Sequence, residues 1–296
     1  MDNLRGSILM VLAMLGFALE DMFMKQMADA LPTGQILAML GLGGGLIFAI
    51  VCWVQGQSLL SRDVLHPMVL LRNFGEIFGT VGYVSAVILT PISSASAIFQ
   101  ATPLFVTLGA ALFLREAVGW RRWVAIGVGF CGVLLIIRPG LDSFQPASLF
   151  AVQGVIFLGI RDLATRRIPR TISSMRLSTY AFAVIVPTGL VLMAVMGDSF
   201  AMPSGTDSWR VAGSIAAGVL GYYALVTATR IGDMSHIAPF RYSRLVFALI
   251  VGTTVFGERP DLATLIGAAI IVGSGTYAAI REGQRRRASL AAAGAI

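Results

Sequence analysis

The chain has 296 residues, 56% of them apolar and 12% charged, with a net charge of +7. Soluble domains run at roughly 45–50% apolar and 25% charged residues, so the composition excludes a soluble protein and points to a membrane one. The surplus of cations does not point to nucleic acid, because the basic residues fall in short clusters between apolar runs and at the C-terminus, where membrane topology and lipid headgroups account for them.

Hydropathy and turn residues predict ten helices, at about 4–28, 34–54, 67–89, 93–114, 121–138, 147–167, 172–196, 208–230, 235–256 and 261–280. The expected fold class is an all-α membrane protein with ten transmembrane helices. Ala28-Asp29-Ala30 resembles a signal-peptidase site, but Glu20, Asp21 and Lys25 before it are unlike a cleavage region, so the first helix is expected to stay. Residues 283–296, with Arg285, Arg286 and Arg287 and an alanine-rich end, are expected to form a disordered cytoplasmic tail. Cys52 and Cys131 each stand alone in an apolar run and read as packing residues. Pro103, Pro187 and Pro239 are candidate hinges, and His66 and His236 read as interfacial.

Alternate loops divide the cations unequally. One side takes Arg5, Arg62, Arg115, Arg121, Arg122, Arg166, Arg167, Arg170, Arg230 and the C-terminal arginines, and the other only Arg138, Arg210 and Arg259. Positive residues stay inside, so both termini should be cytoplasmic. The chain also repeats itself. The run from Leu104 that ends in Leu114-Arg115-Glu116 returns about 142 positions later, ending in Phe256-Gly257-Glu258, and each copy is followed by a glycine-spaced helix. Asp21 and Lys25 are echoed by Asp162 and Arg166, and Gly82-Tyr83 by Gly221-Tyr222. Five helices per copy is an odd number, so residues 1–140 and 141–282 should form two inverted five-helix repeats around a central cavity.

These two units, each closing with Glu116 or Glu258 and a glycine-rich helix, resemble the drug/metabolite transporter superfamily. The likeness is to its ten-helix exporters with paired EamA domains, and most of all to bacterial aromatic and hydrophobic amino-acid exporters. The resemblance implies cytoplasmic termini, a bacterial inner-membrane location and a cavity opening alternately to each side. One departure is that Pro103, which fits the family's pattern, is matched by Leu245 in the second copy.

No nucleotide site is visible. Lys25 is the only lysine and follows Met24, and the G-x-G-x-x-G of Gly127, Gly129 and Gly132 lies inside a membrane helix. These glycines, like Gly41 with Gly45 and Gly75 with Gly79, read as close helix packing. Intramembrane charge carries more information, since it survives only facing a cavity or a partner. Glu76 and Arg244 lie about 14 Å into their helices at 1.5 Å per residue, near the midplane, with Arg72 and Arg241 shallower. Arg244 with Arg241 is expected to receive a substrate carboxylate, and Glu76 an ammonium group or a proton. The competing reading pairs Glu76 with Arg72 one turn away and lets the arginines snorkel. Tyr83, Phe78 and Phe99 would supply aromatic faces. Arg241, Tyr242 and Arg244 stand where the first copy has Phe99, Gln100 and Thr102, an asymmetry that suits a substrate-contacting surface better than a scaffold. The pairs Asp21 with Lys25 and Asp162 with Arg166 are expected either to gate the two faces or to be ordinary interface charges.

The function expected is secondary-active export of small organic solutes, first of all hydrophobic or aromatic amino acids, with other metabolites or lipophilic cations as the alternative. A membrane enzyme acting on lipid-linked substrates is the reading from another class, and no paired-aspartate or histidine-rich metal site supports it. No cofactor is called for. The expected partners are the substrate and membrane lipid, not nucleic acid, and a monomer would suffice.

Overall fold

A computed structural model describes residues 2–59, 61–116, 118–169, 171–231 and 234–293. Of the cations sorted above, Arg170 and the side chains of Arg230, Arg285, Arg286 and Arg287 lie outside what it describes. Among the described residues the regular structure is entirely helical. Helices α1 (Asp2–Met27), α2 (Thr33–Val54) and α3 (Pro67–Leu89) are followed by two short ones, α4 (Ile92–Phe99) and α5 (Thr102–Phe113), and by α6 (Trp120–Ile137). The second half has the same order: α7 (Ser148–Arg166), α8 (Ser174–Met196), α9 (Gly205–Ile231), then α10 (Met234–Ile237), a 3₁₀ turn (Ala238–Tyr242) and α11 (Ser243–Val255), and finally α12 (Leu262–Ala293). Counting α4 with α5, and α10 with α11, as single rods gives ten. Eight of the ten are long and apolar enough to cross a membrane. The other two are α3, which carries Arg72 and Glu76, and the α10–α11 rod, which carries Arg241 and Arg244.

Two of the expected helices are broken, at equivalent places. Pro103 has no N–H to give the Phe99 carbonyl, and the Thr102 hydroxyl donates to that carbonyl instead, at 2.6 Å. In the second copy Leu245, opposite Pro103, lies within an unbroken α11, and the break comes earlier, where Pro239 sits in the 3₁₀ turn. There the Ser243 hydroxyl donates to the Phe240 carbonyl at 2.7 Å. The breaks meet: the Gln100 amide lies 3.4 Å from the carbonyls of both Arg241 and Tyr242. Irregular backbone at membrane depth is tolerated only where protein or a cavity receives it, so this junction marks the candidate functional centre. Pro187, by contrast, leaves α8 continuous. The last helix also departs from expectation, since its backbone stays helical through Ala293, where the sequence suggested a disordered tail.

Packing follows a fixed pattern: α1 lies along α9, α3 along α7, α2 along α8, α6 along α12, and α4 against α11. Between membrane helices the drive is close contact rather than burial from water, and small residues permit it. Gly75 and Gly79 of α3 do this against α7, where a Cβ at Gly75 would lie 2.7 Å from the Phe157 carbonyl oxygen. Gly127 does not, for it faces open space. Cys52 is buried with its thiol 3.6 Å from the Thr179 hydroxyl, while Cys131 is exposed.

The duplicated stretch has one local geometry in both copies. Arg115 and Gly257 both take left-handed backbone, with φ of 54° and 63°, a conformation that glycine adopts freely and arginine only at a cost. The amide of the following glutamate then turns back, from Glu116 to the Ala110 carbonyl at 3.2 Å and from Glu258 to the Gly252 carbonyl at 2.8 Å.

Candidate functional site

A cavity of about 490 Å³ lies in the middle of the ten rods. At the face where α1 begins, the N-terminal face, its walls include Thr165 and Thr229, both exposed. At the opposite face they include Met24 and Leu37, which are 3% and 1% exposed. The cavity is therefore open toward the N-terminal face and sealed toward the other.

The sealed half is organised by an ion pair that the sequence did not suggest. Asp21 on α1 is fully buried, and Arg244 on α11 grips both its oxygens, with Nη2 2.9 Å from Oδ1 and 2.8 Å from Oδ2. The Tyr83 hydroxyl of α3 donates to Asp21 Oδ2 at 2.7 Å. The guanidinium also lies 5.0–5.4 Å from the ring centres of Phe17, Tyr83 and Phe99. A buried charge pair needs hydrogen bonds to offset its desolvation, and here both Asp21 oxygens accept from Arg244. Arg244 was expected to wait for a substrate carboxylate, but its Nε and Nη2 are already engaged by Asp21. Arg241 fits that expectation better: it lines the cavity and has no ion pair among the described residues.

The open half holds a chain of four charges. Glu76 lies 3.8 Å from Arg72 on its own helix and 3.2 Å from Arg161 of α7, and it accepts from the Thr80 hydroxyl at 3.3 Å. Arg161 also pairs with its neighbour Asp162 at 2.9 Å. The competing reading of Glu76, a helical pair with Arg72, is present, but Arg161 was missed. Its signal was a third charge beside Asp162 and Arg166 near the end of a membrane helix.

The two expected gate pairs are not made. Asp21 and Lys25 look the same way in sequence but engage different groups, and so do Asp162 and Arg166. Lys25 instead reaches Glu258, 3.8 Å away, donates to the Val87 carbonyl at 3.1 Å and bonds the Thr90 carbonyl. Glu258 in turn accepts from the backbone N–H groups of Ile92 at 2.6 Å and Ser93 at 3.1 Å, and from the Ser93 hydroxyl at 2.6 Å. A carboxylate on those orphan amides caps α4 and suits its dipole. The repeat-related residues form the counterpart on the other face, Arg166 with Glu116 at 3.7 Å.

The aromatic expectations divide. Tyr83 and Phe99 are in the site, with ring centres 4.4 Å apart, and Tyr242 lines the cavity with a buried hydroxyl that has no hydrogen bond among the described residues. Phe78 is not in it. That ring is 42% exposed on the outer side of α3, stacked with Phe74 and Phe157, because the residues of a helix that face a neighbour and those that face lipid alternate every few positions.

The EamA-like transporter family matches residues 4–138 and again 145–277. A riboflavin transporter of Vibrio cholerae is 33% identical over 222 residues, covering 74% of this chain and 73% of that one. An S-adenosylmethionine uptake transporter of Rickettsia felis is 26% identical over 264 residues, 88% of each chain. A pseudopaline exporter of Pseudomonas aeruginosa is 28% identical over 275 residues, covering 90% and 93%. A crystal structure of a protein shares the fold, with a TM-score of 0.64 at 19% identity over 96% of this chain and 99% of the other. None of these named relatives is an amino-acid exporter, so the narrower resemblance finds no support among them. Both halves carry the family's pattern and the helices suit a multi-pass membrane protein, so the chain belongs to the EamA-like transporter family and is a membrane transporter of small metabolites.

Proposed function

We propose that this chain is a secondary transporter of the bacterial inner membrane. Two inverted five-helix halves would carry a heteroaromatic metabolite with a polar, charged chain by alternating access. The observation that carries the reading is the central cavity, sealed on one face and open on the other, with repeat-related ion pairs at the two ends. The pattern of helix packing supports the inversion. Exchanging the halves turns the α1–α9 contact into α7–α3 and the α1–α11 contact into α7–α5, and maps α2–α8 and α6–α12 onto themselves, as a two-fold axis in the membrane plane requires. The cation bias along the loops supports a cytoplasmic N-terminal face, and hence a cytoplasmic open mouth.

The substrate class rests on the lining and the relatives together. A volume of about 490 Å³ falls inside the roughly 300–1,000 Å³ of small-molecule sites, and Phe17, Tyr83, Phe99, Phe182 and Tyr222 offer ring faces. Riboflavin and S-adenosylmethionine, named for two relatives, are heteroaromatic rings on polar chains. Arg241 is the cation left to meet an anionic group. The Asp21–Arg244–Tyr83 unit is the floor that such a molecule rests on. Counterflow into proteoliposomes, with a panel of riboflavin, S-adenosylmethionine, nucleosides and amino acids, tests the class. Exchange of the heteroaromatic compounds is expected, and exchange of amino acids alone would overturn it.

A further inference from the structure

The carboxylates facing the cavity are held, with one left over. Asp21 is bound by Arg244 and Tyr83, Glu76 by Arg72, Arg161 and Thr80, and Asp162 by Arg161. Glu20 lines the same cavity, and its carboxylate has no ion pair or hydrogen bond among the described residues. It packs directly on α9: a Cβ at Gly218 would lie 2.7 Å from Glu20 Oε1, so a larger residue there would move the carboxylate. Phe17, one turn earlier on α1, turns to the cavity beside it. The charged and titratable groups around it make their hydrogen bonds elsewhere. Arg244, Asp21 and Tyr83 are bound to one another, and Lys25 is bound to Glu258. An ionised side chain inside a membrane is costly and is kept where it faces a partner or a water-filled path. Here the protein supplies no partner and the cavity supplies the path.

We infer that Glu20 receives the positively charged group of the transported molecule, an ammonium or sulfonium carried on the heteroaromatic metabolite. The inference rests on the transporter reading above and narrows it to cationic members of the class. The carboxylate provides the counter-charge for an onium group. The arrangement discriminates by charge. A neutral molecule of the same shape leaves Glu20 desolvated and unmatched, whereas a cation neutralises it.

Two adenosyl compounds test this. S-adenosylmethionine carries positive charge, and 5′-methylthioadenosine keeps the ring and the sulfur without any. In proteoliposome counterflow with the full chain, Glu20→Gln is expected to lower exchange of the cationic compound about tenfold, the size of one charge-assisted contact, and to leave the neutral one within about twofold. Glu20→Asp should recover part of the loss. Gly218→Ala provides an independent route, since its methyl group displaces the carboxylate; it should reduce exchange of the cation more than of the neutral compound. Equal loss of both compounds, no loss of either, or a wild-type protein that exchanges only the neutral one would overturn the proposal. Riboflavin in the same vesicles separates the two readings: its exchange, unchanged by Glu20→Gln, keeps the transporter reading whatever the cation does. A riboflavin exchange whose pH dependence Glu20→Gln removes, with no change in preference between the adenosyl pair, would assign the charge to a proton and overturn the cationic substrate.

Discussion

Lys25–Glu258 and Arg166–Glu116 are the same pair of positions in the two copies, set on the same left-handed turn, yet they are in different states. The first is sunk, with side chains 16% and 10% exposed, and is joined by further hydrogen bonds to the ends of α3 and α4. The second is 43% and 46% exposed. Hydrogen bonds to charged groups contribute about 1.5–3 kcal/mol where they are shielded from water, whereas exposed ion pairs contribute about 0–1 kcal/mol. One latch is shut and its twin is loose, and the same contrast holds one turn away. Asp21 is fully buried against Arg244, while its counterpart Asp162 is 31% exposed against Arg161. Residues related by the repeat therefore differ in burial, and the buried pair lies at the face toward which the cavity is sealed.

The contrast can be broken hardest at the two aspartates. Asp21→Asn leaves a buried guanidinium without its counter-charge and should cost about 3–5 kcal/mol, seen as a large fall in melting temperature and loss of exchange. Asp162→Asn should cost less than about 1 kcal/mol. Equal effects would mean that the two halves are not in different states. Next in size is the shut latch. Glu258→Gln removes the charge that caps α4 and holds Lys25, so a thiol placed at Leu37→Cys, with Cys52 and Cys131 changed to serine, should label about thirtyfold faster from the face opposite the N-terminus, in line with about 2 kcal/mol of lost stabilisation. Glu116→Gln should leave that labelling unchanged and shift stability by no more than about 0.5 kcal/mol.

A smaller effect is expected where the opposite face is tied by Arg138 and Asp261, outside the membrane spans. The Arg138 guanidinium first, and then the Thr264 N–H, hold the Asp261 carboxyl down at about 2, against an ordinary value of 3.8. Because the folded value is the lower one, this contribution is complete above the ordinary value and is lost as pH falls through about 2. Melting measured from pH 5 down to 2 should show a slightly steeper decline in wild type than in Asp261→Asn. Smallest of all, Phe78→Ala should leave exchange as it is, while Phe99→Ala, which strips one wall from Arg244, should reduce it.

Much of the fold could be read from the chain. Ten apolar segments and a duplication about 142 residues long specify the number of rods and their division, because hydropathy and self-similarity are properties of sequence alone. Arg244, Arg241, Glu76, Tyr83, Phe99 and Tyr242 were legible as candidates because charge and aromatic asymmetry between copies are visible without coordinates. What could not be read was who meets whom. Asp21 and Lys25 are four residues apart, and helical spacing suggested a pair. Partner choice in a membrane bundle depends on which helix lies across the cavity, and α3, α11 and Glu258 beyond α11 supply better partners than the next turn does. Phe78 was placed in the site by depth, but its facing depends on the rotation of α3, which the packing of Gly75 and Gly79 on α7 sets.

The sequence by itself determined that this is a multi-pass membrane protein of duplicated five-helix design with charge buried at its centre, since composition, period and the cost of intramembrane charge need no coordinates. Only the tertiary structure decided that Arg244 is already bound to Asp21, that Glu20 is the carboxylate left facing the cavity, and that of two equivalent latches one is closed. These are matters of contact between helices far apart in the chain, and contact depends on how the rods are rotated and packed, which no single segment specifies.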